Sequence, residues 1–211
     1  MKQTLLRTTG RALALGLCVL ACGSCGTAVR EGRASSYLVI DLLTASSGAE
    51  PSKSSNVLAS DVVTNVKTSS GALAPTVFED PGQVVFRFSM KDPVSPTQPS
   101  TTNEITVTSY HVTFTRADGR NTPGVDVPYP FDGAITATVK IATQTSASFT
   151  LVRAQAKLEP PLLALRGLGG SLLIATIAQV TFYGHDQAGN EVSVTGTISV
   201  NFADWGDPAT S

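Results

Sequence analysis

The sequence predicts an all-β, antiparallel fold, and three observations support this prediction. From Tyr37 onward, short runs rich in Val, Ile, Thr, Phe and Tyr alternate with clusters of Gly, Pro, Ser, Asn and Asp. Several runs place apolar residues at every second position, as half-buried antiparallel strands do. Apolar residues make up 42% of the 211 residues and charged residues 15%, so the chain can bury a core.

The N-terminal segment predicts export. Lys2, Arg7 and Arg11 form a positive region without an acidic residue, and the apolar run 12–21 follows it. That run is too short to span a bilayer of roughly 30 Å, but its length suits a signal peptide. No later stretch of the sequence reaches the roughly 20 apolar residues of a transmembrane helix.

All three cysteines, Cys18, Cys22 and Cys25, lie in this segment. The run Val19-Leu20-Ala21-Cys22 resembles a bacterial lipobox, in which a small residue precedes the cysteine that takes a thioether-linked lipid. The resemblance implies acyl chains such as palmitate on Cys22 and sorting to the outer membrane. Cys25 is the alternative lipidation site, and an ordinary cleavable signal is the alternative to lipidation.

The resulting organisation is a signal peptide over 1–21, a lipidated cysteine with a flexible tether over 22–36, one β domain over 37–205 and a tail over 206–211. Removal of 1–21 leaves 12 basic against 16 acidic residues, a formal charge of −4. We therefore expect no nucleic-acid partner, and membrane contact through the lipid rather than through basic side chains. The β domain contains no cysteine, which excludes disulfides and thiolate metal ligands there.

The predicted strands are, in chain order, Tyr37–Leu43, Val57–Val66, Pro75–Phe78, Gln83–Lys91, Glu104–Arg116, Ala134–Ala142, Ser146–Lys157, Leu172–Gly184 and Glu191–Phe202. In the fifth of these, the apolar phase slips between Val107 and Tyr110, which predicts a β-bulge or burial of both faces. Ala188-Gly189-Asn190 predicts a hairpin turn between the last two strands. Glu159-Pro160-Pro161, followed by leucines and Gly167, predicts one short helix.

Two segments carry a resemblance to known folds. AQVTFYGHDQAGNEVSVTGTISVNF, residues 178–202, resembles the final hairpin of bacterial Ig-like domains. ITVTSYHVTFTRADG, residues 105–119, is similar to the C strand and following turn of fibronectin-III-like domains. The resemblance covers about 40 of 211 residues. It implies an antiparallel Ig-like β-sandwich, here enlarged by extra N-terminal strands and one short helix, and it says nothing specific about function.

The sequence nominates no catalytic residue, no metal site and no cofactor, because nucleophile-elbow, zinc and EF-hand motifs are absent. His111 and His185 fall on strands expected to be neighbours and could bind a metal with Asp186, although two surface histidines are the favoured interpretation. The loop acids Asp118, Asp126 and Asp132 could bind Ca²⁺, although turn formation is favoured.

Tyr129 and Phe131, together with Pro128 and Pro130, form the densest aromatic cluster in a predicted loop. They are the candidate binding loop, and the competing interpretation, which we favour, is that they cap the core. Trp205 is expected to plug one end of the domain rather than to form a sugar platform.

These features predict a non-enzymatic, lipid-anchored envelope protein with an Ig-like module for protein interaction or a structural role. Its partners would be the membrane, through the lipid, and an unidentified envelope protein. The alternative is a carbohydrate-binding or glycan-acting surface protein that uses Tyr129, Phe131 and loop acids. A third, weaker hypothesis is an accessory in envelope assembly.

Overall fold

The computed structural model describes residues 32–92, 94 and 98–205, which are mostly β. These residues form the strands β1 (Ser36–Ala45), β2 (Val57–Asp61), β3 (Thr64–Lys67), β4 (Leu73–Thr76), β5 (Asp80–Met90), β6 (Ile105–Thr115), β7 (Phe131–Val139), β8 (Thr145–Val152), β9 (Ile174–Asp186) and β10 (Glu191–Ala203). One α-turn, α1 (Ala154–Lys157), and two 3-10 turns, Thr101–Asn103 and Leu162–Leu165, complete the list. The predicted signal peptide, Cys22, Cys25 and the tail lie outside the described residues.

The strands form three sheets. A three-stranded sheet has the order β1-β5-β8, a five-stranded sheet has the order β2-β10-β9-β6-β7, and β3 pairs with β4. Every pairing is antiparallel except that of β2 with β10. The all-β, antiparallel prediction is thus confirmed at this level.

Aromatic rings from the two larger sheets meet in the core. Phe86 on β5 and Phe149 on β8 each pack edge-on against Phe182 on β9, with ring centroids 5.0 and 5.2 Å apart. The Tyr110 hydroxyl on β6 accepts a hydrogen bond of 3.1 Å from the backbone N–H of Thr150 on β8. The two sheets therefore face one another and share one apolar interior.

Two local predictions are confirmed. The pairing of β6 with both of its neighbours shifts register between Val107 and Ser109, where the sequence predicts a bulge. The predicted hairpin joins β9 to β10. Its turn has Gly189 at φ +84, and the Asp186 carboxylate accepts hydrogen bonds from the N–H groups of Ala188 and Asn190.

The structure differs from the prediction at two connections. The predicted strand Val57–Val66 divides into β2 and β3, because Val62 turns inward and is fully buried. The predicted strand Ser146–Lys157 ends at Val152, and α1 follows it. The predicted helix is the 3-10 turn Leu162–Leu165, which ends where Arg166 adopts an extended conformation and Gly167 a positive φ of 75°.

Candidate functional site

The strands run between two ends of the domain, which we call the tether pole and the leucine pole. At the tether pole β1 begins at Ser36 opposite Met90, and β6 begins at Ile105 opposite Asp186. At the leucine pole Asp80 lies opposite Val152, and Ile174 lies opposite Phe202. The leucine-rich connection between β8 and β9 belongs to this second pole.

A surface cleft of about 530 Å³ lies on the five-stranded sheet near the tether pole. Strands β6, β9 and β10 and the β9–β10 turn form it, and its lining residues are Thr108, Tyr183, Gly184, His185, Gly189, Glu191 and Val192. Thr108 sits at the bulge of β6, and Glu191 lies directly opposite His185 in the β9–β10 pairing. The bulge and the hairpin turn, both predicted from the sequence, thus shape this cleft.

The chemistry of the cleft suits a small polar ligand with one apolar face. The Tyr183 side chain is 43% exposed and offers a flat apolar ring. His185 Nδ1 lies 3.1 Å from the Asp186 carbonyl oxygen, a contact in which the ring nitrogen donates. In the neutral ring Nε2 is then an acceptor. With the Glu191 carboxylate and the Thr108 hydroxyl, the cleft combines an aromatic platform with hydrogen-bonding groups.

The structure separates the two aromatic residues of the predicted binding loop. Phe131 is 8% exposed and packs against Tyr110, while the Arg153 guanidinium lies 4.4 Å from its ring centroid. Phe131 therefore caps the core, as the favoured interpretation expects. Tyr129 is 50% exposed and lies over Gly124, where a side chain would collide with its ring. Only Tyr129 presents a ring to a ligand, and binding there stays a prediction.

The two histidines do not form a pair. Strands β6 and β9 are neighbours, as expected, but the register places His111 opposite Thr181 and His185 opposite Thr106. His111 Nδ1 instead lies 2.7 Å from a carboxylate oxygen of Asp132 on β7. Asp186 is buried in its own turn, so it completes no metal site with either histidine.

The three acids make different contacts, so they do not form a shared Ca²⁺ site. The turn-forming interpretation fits Asp118 and Asp126, whereas Asp132 lies on β7. Hydrogen bonding to Arg116 lowers the pKa of the exposed Asp118 to about 2, with further help from Arg120. Asp126 accepts a hydrogen bond from the N–H of Thr122, and Asp132 contacts His111. Among the described residues, no group of three or more His, Cys, Asp or Glu side chains could hold a metal ion.

Sequence reasoning misses a buried polar cluster at the leucine pole. Lys157 Nζ lies 2.8 Å from Asp80 Oδ1, and the two side chains are 1% and 0% exposed. The Asp80 carboxylate also accepts hydrogen bonds from the Ser60 hydroxyl and the Gly48 N–H. The cluster joins four segments that are distant in sequence, which is why no local pattern reveals it.

A second buried carboxylate, Asp61, lies beside this cluster in the chain. Burial raises the pKa of the Asp61 carboxyl above the ordinary 3.8. Hydrogen bonds from the Thr64 hydroxyl and the Trp205 backbone N–H lower this pKa, but burial is the larger effect. The Trp205 N–H bond to Asp61 is 3.0 Å long, and the indole is half-buried. This placement agrees with a plug at the end of the domain.

Comparison with known proteins does not assign the chain to a family. No protein-family model matches the chain, and no curated protein is significantly similar to it. No helix in the described part of the chain is long and apolar enough to cross a membrane. The functional argument therefore depends on the chemistry of the residues themselves.

Proposed function

We propose that this chain is an exported, lipid-anchored protein of the bacterial envelope whose β domain is a non-catalytic module for protein interaction or a structural role. The observation that carries the proposal is the position of the lipobox-like run, a short distance before the first buried residue that the structure describes. The lipobox-like Cys22 lies shortly before Ala34, which is 2% exposed and belongs to the core of the β domain. An anchor, a short tether and one folded unit thus follow one another.

Strand order supports the Ig-like part of the proposal. An Ig domain carries strands A, B and E in one sheet and C, F and G in the other. Strands β1, β5 and β8 match the first set, and β6, β9 and β10 match the second. β7 takes the place of C′ beside β6, and β2, β3 and β4 are additions near the N-terminus. The two segments with a family resemblance fall on β6 and on the β9–β10 hairpin, which correspond to strand C and to strands F and G of an Ig domain.

The anchor is tested by expressing the full chain, with its own N-terminus, in a bacterial host that acylates lipoproteins. Palmitate labelling and the intact mass of the N-terminus are measured for the wild type, Cys22→Ser and Cys25→Ser. We expect acylation and membrane fractionation for the wild type and Cys25→Ser, and loss of both for Cys22→Ser. An unmodified N-terminus beyond Cys25 in the wild type contradicts the proposal.

The interaction role is tested by cross-linking in the native cells, followed by mass spectrometry of the captured proteins. We expect one envelope protein to be captured repeatedly, and the cross-linked residues to lie on the β domain. Capture that is no greater than that of an unrelated lipoprotein of equal abundance contradicts an interaction role.

The cleft around Tyr183 favours a second candidate function, binding of a carbohydrate. An exposed aromatic ring beside carboxylate, imidazole and hydroxyl groups matches the apolar face and hydroxyls of a sugar ring. The test measures binding of cell-wall glycan fragments to the wild type, Tyr183→Ala and Tyr129→Ala. We expect Tyr183→Ala to weaken binding at least tenfold and Tyr129→Ala to leave it unchanged. If Tyr129→Ala weakens binding and Tyr183→Ala does not, the glycan binds at the loop of Tyr129. If the wild type binds no glycan fragment, carbohydrate binding is ruled out as a function.

A further inference from the structure

The connection between β8 and β9 exposes an unusual set of leucines. Residues 158–173, here called the leucine loop, contain only two charged residues, Glu159 and Arg166. Five of its leucines are 40–51% exposed, namely Leu158, Leu163, Leu168, Leu172 and Leu173. Single exposed apolar residues are common on protein surfaces, but five within sixteen residues make this segment a candidate apolar contact surface.

The loop is held in this conformation by its other residues. Leu162 and Leu165, on one face of the 3-10 turn, are 0% and 1% exposed and bury the loop's inner side. The Gly167 N–H donates to the Asp204 carboxylate, and an Arg166 nitrogen donates to the Lys157 carbonyl. These contacts hold the middle of the loop, at Arg166 and Gly167, against the end of α1 and the segment after β10, while Leu162 and Leu165 anchor its inner side.

The tether permits this pole to reach a membrane. Eleven residues, 23–33, separate Cys22 from the buried Ala34, and a chain of this length spans at most about 40 Å. β1 has ten residues, so it places the leucine pole about 33 Å from the tether pole. The reach of the tether thus exceeds the separation of the two poles, and the domain can turn its leucine loop toward the bilayer that holds the lipid.

The small number of these residues favours a bilayer over a second copy of the chain. A stable protein interface uses roughly 20 to 30 residues on each side, far more than these leucines. A formal charge of −4 after removal of 1–21 opposes electrostatic attraction to anionic headgroups. Contact with lipid would therefore come from apolar insertion, which salt does not screen.

We propose that the leucine loop inserts into the interface of the bilayer that carries the N-terminal lipid, so that the anchored domain lies against the membrane. This inference rests on the lipid anchor of the proposed function. The lipid holds the protein at the membrane, and the leucines set the orientation of the domain.

The test places a fluorescent probe in the loop. The full acylated chain is reconstituted into phosphatidylcholine vesicles with or without brominated acyl chains, which quench nearby tryptophan. Leu172→Trp reports on the loop, and Tyr37→Trp is the control, since Tyr37 is 55% exposed and lies at the start of β1, at the tether pole. Trp205 is the sole natural tryptophan, and the unsubstituted chain corrects for it.

We expect brominated lipid to reduce the added emission of Leu172→Trp at least twofold and to leave that of Tyr37→Trp unchanged. Both results should be the same at 0.5 M salt. Equal quenching of both probes, or of neither, in an acylated and vesicle-bound chain overturns the orientation and leaves the anchor intact. If the chain carries no acyl group, the anchor fails. Vesicles added to the soluble chain then still decide whether the loop contacts lipid.

Discussion

The polar groups in the connections at the two poles find their hydrogen-bond partners in different parts of the chain. At the tether pole, the side chain of Asp186 caps the β9–β10 turn, and the Gln187 N–H donates to the Thr102 carbonyl. At the leucine pole, the charged pair of Asp80 and Lys157 is buried while leucines face outward. A short hairpin can be capped from within, whereas longer connections need buried partners from other segments. Both poles therefore bury a carboxylate, but Asp186 is satisfied by N–H groups of its own turn, whereas Asp80 is satisfied by partners from distant segments.

The largest expected effect comes from breaking the buried pair at the leucine pole. We expect Lys157→Met to lower the free energy of unfolding by about 3 to 5 kcal/mol, because it leaves the Asp80 carboxylate buried without its counter-charge. Urea denaturation of the full chain measures this loss. The double variant Asp80→Leu/Lys157→Met removes both charges and should recover part of it.

Lys53→Met is the matched control for this prediction. Lys53 pairs with Glu50 at the surface, where such a pair contributes about 0.5 kcal/mol or less. A loss of similar size for Lys53→Met and Lys157→Met would show that the buried Asp80–Lys157 pair contributes no more to stability than a surface pair.

The corresponding change at the tether pole has a smaller expected effect. Asp186→Ala removes the carboxylate that accepts hydrogen bonds from two turn N–H groups and from the Asn190 amide, and it should cost about 2 kcal/mol. Urea denaturation and amide exchange of Asn190 measure the loss. Asp126→Ala, in the exposed loop between β6 and β7, is the control and should change stability much less. Stability equal to the wild type for Asp186→Ala would mean that glycine geometry alone holds the turn.

A residue between the poles provides the reference for both. Tyr110→Phe removes the hydroxyl that accepts the Thr150 N–H and leaves the ring contacts with Phe149 and Phe182 in place. We expect a loss of about 1 kcal/mol, the usual net value of one hydrogen bond. Thermal unfolding with matched urea curves measures it. A loss as large as that of Lys157→Met would place the critical contact between the sheets rather than at a pole.

The smallest expected effect is the pH dependence of Asp61. Its pKa is raised in the folded state, so the charged carboxylate disfavours folding above that pKa, and the penalty is absent below the ordinary value of 3.8. The stability of Asp61→Asn relative to the wild type should therefore increase between pH 3.5 and pH 7. Urea midpoints at the two pH values measure the change. A relative stability that decreases over this range would mean that the hydrogen bonds from Thr64 and Trp205 outweigh burial.

Local patterns in the sequence predicted the elements that depend on neighbouring residues. The alternation in β5 and β6, the bulge near Val107 and the Asp186 turn all follow from the period of the strand and the conformational preferences of turn residues. The two prolines and the following leucines predict one short helix, and the structure has a 3-10 turn over Leu162–Leu165 at this place.

Other features required contacts between distant segments. Phe131 and Tyr129 look alike in the sequence, and only the position of Arg153 and Tyr110 buries one ring while the other stays exposed. The register of β6 against β9 decides that His111 meets Asp132 rather than His185. Neither the burial of Phe131 nor the contact of His111 with Asp132 can be predicted from the residue types of one short segment.

The sequence by itself determined the strand content, the bulge, the last hairpin and the lack of cysteine in the β domain, because each depends on local geometry or on composition. The tertiary structure alone decided the sheet order, the Asp80–Lys157 cluster, the Tyr183 cleft and the outward face of the leucine loop. These depend on which distant strands pair and in what register. That choice is made by the shared core and not by any one segment.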